Sequence, residues 1–275
     1  MNNTVIRNYA KLKFSLLYVP VLLLIFIALS LYSQGALSMD AYRYIQKDGF
    51  MYLNANLSQL PGTQYNLTQL GDTLIALSFL TIFVLYAPKL WEALISGLLV
   101  SLLLSVIPKK IFEIPRPAAT FDRDSFVIIG KTLSGHNSFP SGHTITIFTT
   151  LTILMFAFMP QTLKLKILWC FCIILIGLIL GFTRVGVGAH YPLDVVVGSI
   201  IGYISGLLGI FIAQKYRIWA WVGNKKSYPF FILLFAVCCA VLVNKIMHDN
   251  LIIFYLSIIS LISSLYIVTK AYVKK

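Results

Sequence analysis

The 275-residue chain is predicted to be an all-α, polytopic bundle of transmembrane helices. Three observations carry that prediction: 59% of residues are apolar while 11% are charged, the apolar residues gather into runs of spanning length, and those runs lack the strict alternation of barrel strands. An ordinary soluble domain is about a quarter charged, so a water-soluble globule is excluded. Basic residues outnumber acidic ones 22 to 9, a formal charge of +13. Such an excess fits a nucleic-acid binder or a membrane protein with cations beside its spans. The apolar composition decides for the membrane as partner, and no nucleic-acid partner is expected.

In chain order the apolar runs fall near 14–32, 73–88, 91–107, 143–160, 167–183, 194–213, 229–244 and 250–269. Unpaired backbone groups are costly in lipid, so each run is read as a helix. Arg7, Lys11 and Lys13 precede the first run, which is long for the apolar stretch of a cleaved signal and is therefore read as a retained helix. Two connections are long, 33–72 and 108–142, and long ordered loops are usually functional. Cys170, Cys172, Cys238 and Cys239 all lie inside apolar runs, where they read as packing residues and not as disulfides or metal ligands.

Charge orients this topology, because short cytoplasmic loops retain Lys and Arg. With the N-terminus inside, thirteen of the 22 basic residues fall on inner segments with one acid, Glu92, and the other nine fall on outer segments with the remaining acids. The predicted location is an integral membrane protein of a bacterial inner membrane, with cytoplasmic termini and a periplasm-facing active site; an endoplasmic reticulum lumen is the alternative.

Three short constellations fall at outer helix ends. Lys109 and Arg116-Pro117 are seven residues apart, a spacing that puts two cations on one helical face before Pro115 and Pro117 end the helix. Lys110 is a rival for the first cation. Pro140-Ser141-Gly142-His143 opens the fourth run, where a helix N-terminus offers free N–H groups to an anion, Ser141 a hydroxyl and His143 a titratable proton. Thr183-Arg184, His190 and Asp194 come third, with Asp194 placed to hold the His190 imidazole in one tautomer or to cap the following helix. Together they supply three cations, a helix N-terminus and two histidines, an inventory that suits a phosphoryl group, a nucleophile and an acid for the leaving oxygen. His136 reads as a loop residue, and no carboxylate cluster suits a metal.

These blocks, Lys109 with Arg116-Pro117, then Pro140-Ser141-Gly142-His143, then Arg184 with His190 and Asp194, resemble the tripartite signature of the type 2 phosphatidic acid phosphatase (PAP2) superfamily of membrane lipid phosphatases. Thr183 stands where that family usually has serine, which keeps a hydroxyl. The resemblance implies a six-helix phosphatase core, here 1–228, to which the helix pair of 229–275 is additional. It also implies hydrolysis of a lipid phosphomonoester or pyrophosphate, with His190 attacking phosphorus to form a phosphohistidine oriented by Asp194. His143 would act as acid and then base, with Lys109, Arg116, Ser141, Gly142 and Arg184 binding phosphate. The expected partner is a lipid phosphate such as polyprenyl pyrophosphate, lipid A or a phosphatidyl phosphate, with no metal and no cofactor. A phosphotransferase with the same site is the alternative. A non-catalytic lipid transporter is a weaker one, because transport does not require His143, His190 and Asp194.

Overall fold

The computed structural model describes residues 1–274, and among them all regular structure is helical. In chain order the helices are α1 (Asn2–Tyr9), α2 (Tyr18–Ser33), α3 (Met39–Tyr44), α4 (Lys47–Leu57), α5 (Pro61–Thr68), α6 (Thr73–Ser78), α7 (Phe83–Tyr86), α8 (Pro88–Phe112), α9 (Pro117–Thr120), α10 (Gly142–Ala157), α11 (Leu163–Gly186), α12 (Pro192–Lys215), α13 (Tyr228–His248) and α14 (Ile252–Val273). Six segments are long and apolar enough to cross a membrane: those built on α2, α8, α11, α12, α13 and α14. α10 is apolar but shorter, at 16 residues.

The run near 73–88 is not the single helix expected from its composition. It forms α6 and α7, joined by tight turns in which Leu80 N–H donates to Leu77 C=O and Phe83 N–H to Leu80 C=O. It still passes from one end of the bundle to the other. Gly71 lies against His143, whereas Lys89 N–H donates to Asn2 at the opposite end. The turns survive because packed neighbours satisfy the freed polar groups: the Thr81 hydroxyl donates to Ser264, the Ser260 hydroxyl to Ser78 C=O, and the Trp91 indole to Leu80 C=O.

α8, α10 and α12 form the centre. Small residues let α12 approach its neighbours: a Cβ on Gly202 would sit 2.6 Å from Ile145 O, and one on Gly209 2.4 Å from Gly97 Cα. Without a hydrophobic driving force between helices in lipid, such close backbone contact is a main source of association. Both described termini lie at the end remote from His143. Asn8 donates to Ala157 and Met159 C=O there, and Lys225 Nζ donates to Lys274 C=O. At the other end, α3 to α5 fold over the bundle as a cap. Its core is Tyr42, Phe50, Ile114, Val185, Tyr191 and Val195.

Candidate active site

The first constellation reaches the site differently from its spacing. α8 runs through Pro108 but stops at Phe112, where Glu113 takes a left-handed conformation (φ 44°). Arg116 therefore lies outside the helix on extended backbone (φ −73°, ψ 161°) and not on a shared helical face with Lys109. Proline disfavours the helical region for the residue before it, which fits Ile114 and Arg116 lying outside the helix beyond Glu113. The two cations nevertheless lie at one end of the bundle, Lys109 beside Gly142 and Arg116 beside His190. Lys110 is exposed, whereas Lys109 is half-buried and its Nζ lies 3.1 Å from where a Cβ on Gly142 would sit, so a larger residue there would press on the ammonium.

Arg116 is fixed on three sides: Nε donates to Asn137 Oδ1 (2.8 Å), and Nη1 reaches Ala189 O (3.2 Å) and His190 Nε2 (3.2 Å). The second constellation begins α10, with Ser141 as N-cap, its Oγ accepting from Thr144 N–H (3.4 Å) and Thr144 Oγ1 (2.9 Å). Ser141 N–H donates to Asp194 O (3.1 Å), which ties the start of α10 to the start of α12. His143, in the first turn of α10, packs against Gly71 and lines a cleft of about 620 Å³. Leu77, Leu98, Leu102 and Ile145 wall that cleft, with Asp72, Ser101 and Ser105 among its polar groups.

The third constellation is the most deeply buried. Arg184, at the end of α11, is 5% exposed; His190, in the turn before α12, is 1% exposed; Asp194, in the first turn of α12, is fully buried. His190 Nδ1 lies 3.3 Å from Asp194 Oδ2. Because a carboxylate only accepts, Nδ1 carries the proton and Nε2 the lone pair that faces Arg116. Asp194 also caps α12, accepting from Tyr191 N–H (3.0 Å), so one carboxylate fills both roles the sequence left open. Burial, and then the charges of Arg116, Arg184, Lys109 and His143, push the His190 imidazole well below its ordinary value of 6.5. That keeps Nε2 unprotonated. Thr183 donates to Leu180 C=O, within its own helix, and His136 is exposed. Among the described residues, no three His, Cys, Asp or Glu side chains converge as a metal site would require.

Residues 89–219 match the PAP2 superfamily, and the three blocks from Lys109 to Asp194 all lie inside that stretch. The chain thus carries a segment similar to the PAP2 superfamily, just under half of its length. The chain is similar to BcrC of Bacillus licheniformis, described as a bacitracin transport permease protein, at 38% identity over 29% of this chain and 35% of the relative. It is similar to the undecaprenyl-diphosphatase BcrC of Bacillus subtilis at 32% identity over 48% of this chain and 65% of the relative. The lipid A 4'-phosphatase of Bacteroides thetaiotaomicron matches at 36% identity over 34% of this chain and 38% of the relative. The chain thus spans less than two thirds of the length of these curated relatives. The crystal structure of Aquifex aeolicus LpxE covers 61% of this chain and 95% of its own, with a TM-score of 0.51 and 25% identity.

Four further residues touch this PAP2 site and escaped the sequence reading. Asn137 holds Arg116, and Ser138 donates to Asp194 Oδ2 (2.6 Å) while lying 3.4 Å from His190 Nδ1. Both sit directly before Phe139-Pro140-Ser141, and that adjacency is the signal that could have found them. Tyr42 donates to Asp194 Oδ1 (2.7 Å), and Arg184 Nη1 donates to Thr68 Oγ1 (2.7 Å). Those two belong to the cap and precede the PAP2 segment, with no local pattern to mark them.

Proposed function

We propose that the protein is an integral membrane lipid phosphatase that hydrolyses a phosphomonoester or pyrophosphate of a lipid through a phosphohistidine at His190. The observation that carries this reading is the His190 ring itself: Nδ1 directed to Asp194, Nε2 unprotonated, and Arg116 held at Nε2. A phosphoryl group drawn in by Lys109, Arg116 and Arg184 meets that lone pair.

In the first step the Nε2 pair forms a bond to phosphorus as the bond to the lipid oxygen breaks, and His143 gives that oxygen its proton. In the second, His143 takes a proton from water, whose oxygen displaces Nε2 from phosphorus and releases phosphate. The three cations, with Ser141 and the Gly142 N–H at the start of α10, hold the phosphoryl oxygens throughout; preorganised donors of this kind are usually the largest catalytic contribution. The three fixed positive charges do the work that Mg²⁺ does in kinases, so the chemistry is read as metal-independent.

Several features support a lipid substrate. Leucine and isoleucine supply six of the fourteen residues lining the cleft beside His143, and two relatives act on undecaprenyl diphosphate and lipid A as their names state. With both termini at the far end of the bundle and the basic excess of the predicted inner segments there, the pocket is read as periplasmic in a bacterial inner membrane. Residues 1–228 are taken as the phosphatase unit and 229–275 as an addition whose α14 packs on α5 and α6. A second reading, lipid or peptide transport without chemistry, is favoured by the description of the Bacillus licheniformis relative.

Phosphate release by the purified protein separates the readings, measured over undecaprenyl diphosphate, phosphatidic acid and lipid A, each with and without an alcohol acceptor. Hydrolysis without acceptor, abolished by His190→Ala, supports the phosphatase. No release from any substrate refutes it, and transfer only to an added alcohol makes the protein a phosphotransferase.

A further inference from the structure

The cap of α3 to α5 lies outside the PAP2 segment, yet it makes side-chain bonds to two of the proposed site residues. Asp194 Oδ2 accepts from Ser138, from Tyr191 N–H and from His190; Oδ1 has the Tyr42 hydroxyl as its one partner among the described residues. Arg184 makes one side-chain bond among the described residues, to Thr68, while its buried Nε has none. Tyr42 and Thr68 are 5% and 2% exposed. A buried charged group with a single partner is costly to leave unpaired, so each of these bonds bears directly on where a charged site group rests.

We propose that Tyr42 and Thr68 are positioning residues of the reaction, through which the 33–72 cap completes the site: Tyr42 sets the carboxylate that orients His190, and Thr68 aims the Arg184 guanidinium at the phosphoryl oxygens. Neither touches the reacting atoms. Gln46 and Asn54 fix the cap in register, Gln46 Oε1 accepting from Leu193 N–H (2.8 Å) and Asn54 Nδ2 donating to Val185 and Gly186 C=O (3.0 and 3.2 Å). Its two contacts therefore land at the start of α12 and the end of α11, on either side of the His190 turn. The two bonds predict different kinetic signatures. Tyr42 acts on the nucleophile through Asp194, so its loss lowers kcat. Thr68 acts on a phosphate-binding cation, so its loss weakens binding of any phosphoryl group, inorganic phosphate and orthovanadate included.

The inference rests on the phosphatase reading, and wild type and His190→Ala are assayed in parallel to keep the two apart. Should His190→Ala keep near-parental activity, the phosphatase mechanism itself fails. If it is inactive while the cap variants match wild type, the cap inference alone fails. Tyr42→Phe is expected to lower kcat about 10-fold with KM unchanged, since a hydrogen bond to a charged group is worth that order. In an Asp194→Ala background the same change should alter kcat by less than about 2-fold. An equal loss in both backgrounds would show that Tyr42 does not act through Asp194. Thr68→Val should raise the inhibition constant of orthovanadate about 10-fold, with Thr68→Ser restoring it; an unchanged constant overturns the Thr68 role. Should Tyr42→Phe fail to fold, 3-fluorotyrosine at position 42 keeps ring and hydroxyl while changing its acidity. Altered kcat then supports the proposal, and wild-type kcat refutes it.

Discussion

Asp194→Asn is the most informative single substitution, because the surroundings of the carboxylate determine how the amide must sit. Tyr191 N–H can only donate, so the side-chain oxygen of asparagine is held at the Oδ2 position, where it still accepts from His190 Nδ1–H. The amide nitrogen then falls at the Oδ1 position, facing the Tyr42 hydroxyl, which can turn to accept. The tautomer is thus preserved and the lost quantity is charge. A full positive charge on the imidazole at 3.3 Å would lose about 5 kcal/mol at an effective dielectric of about 20. With about half a charge developed in the transition state the loss is about 2.5 kcal/mol, so kcat should fall about 60-fold at about 1.4 kcal/mol per decade. The assay is steady-state phosphate release in detergent, with folding checked by size-exclusion elution. A fall under 5-fold would refute the claim that Asp194 charge supports the imidazole. A fall beyond 10⁴-fold would mean that the tautomer is lost as well and that the amide sits the other way round.

Other consequences follow from the same geometry. Burial and neighbouring cations lower the His190 pKa, so Nε2 stays free as pH drops through 6.5. The acid limb of kcat/KM assigned to this residue should therefore lie below pH 6.5, and a limb above that value contradicts the assignment. The same shift carries a stability sign: the unfolded imidazole takes up its proton near 6.5 while the folded one does not, so folding stability should decline below that pH, and less so in His190→Asn. Arg184→Lys keeps the charge but loses the Nη1 bond to Thr68 and is expected to lower kcat/KM about 10²-fold, by phosphate-release kinetics. Gly71→Val would drive a side chain into His143, whose Cβ lies 2.5 Å from where a Cβ at position 71 would sit, so activity should fall to a few per cent or the variant should lose thermal stability. Incubation with EDTA should leave phosphate release unchanged, whereas loss that added Mg²⁺ restores would overturn metal independence.

How much of this was legible in the sequence depends on whether the signal was local. Hydropathy located the long helices because about 20 consecutive apolar residues have few other solutions. It failed at 73–88, where the same composition accommodates tight turns once Ser260, Ser264 and Trp91 supply partners from elsewhere in the chain. Lys109, Arg116, Ser141, Gly142, His143, Arg184, His190 and Asp194 could be picked out from short spacings, and the fold brings them to one end of the bundle. The spacing of Lys109 and Arg116 nevertheless suggested a helical face that Glu113 and two prolines prevent. Tyr42 and Thr68 were invisible because their meaning is tertiary. They lie 152 and 116 positions from the groups they hold, and nothing in the composition of a polar loop marks a hydroxyl that will be buried against a distant carboxylate or arginine.

The central claim is that phosphorus is transiently bonded to nitrogen at position 190. Rapid-quench reaction with a lipid substrate labelled with ³²P at the phosphate, stopped in alkali to preserve a phosphoramidate, tests it directly. Base-stable, acid-labile label is expected on a peptide containing His190, forming and decaying within a turnover and absent from His190→Ala. Label on the His143 peptide instead, or unimpaired turnover by His190→Ala, would contradict it.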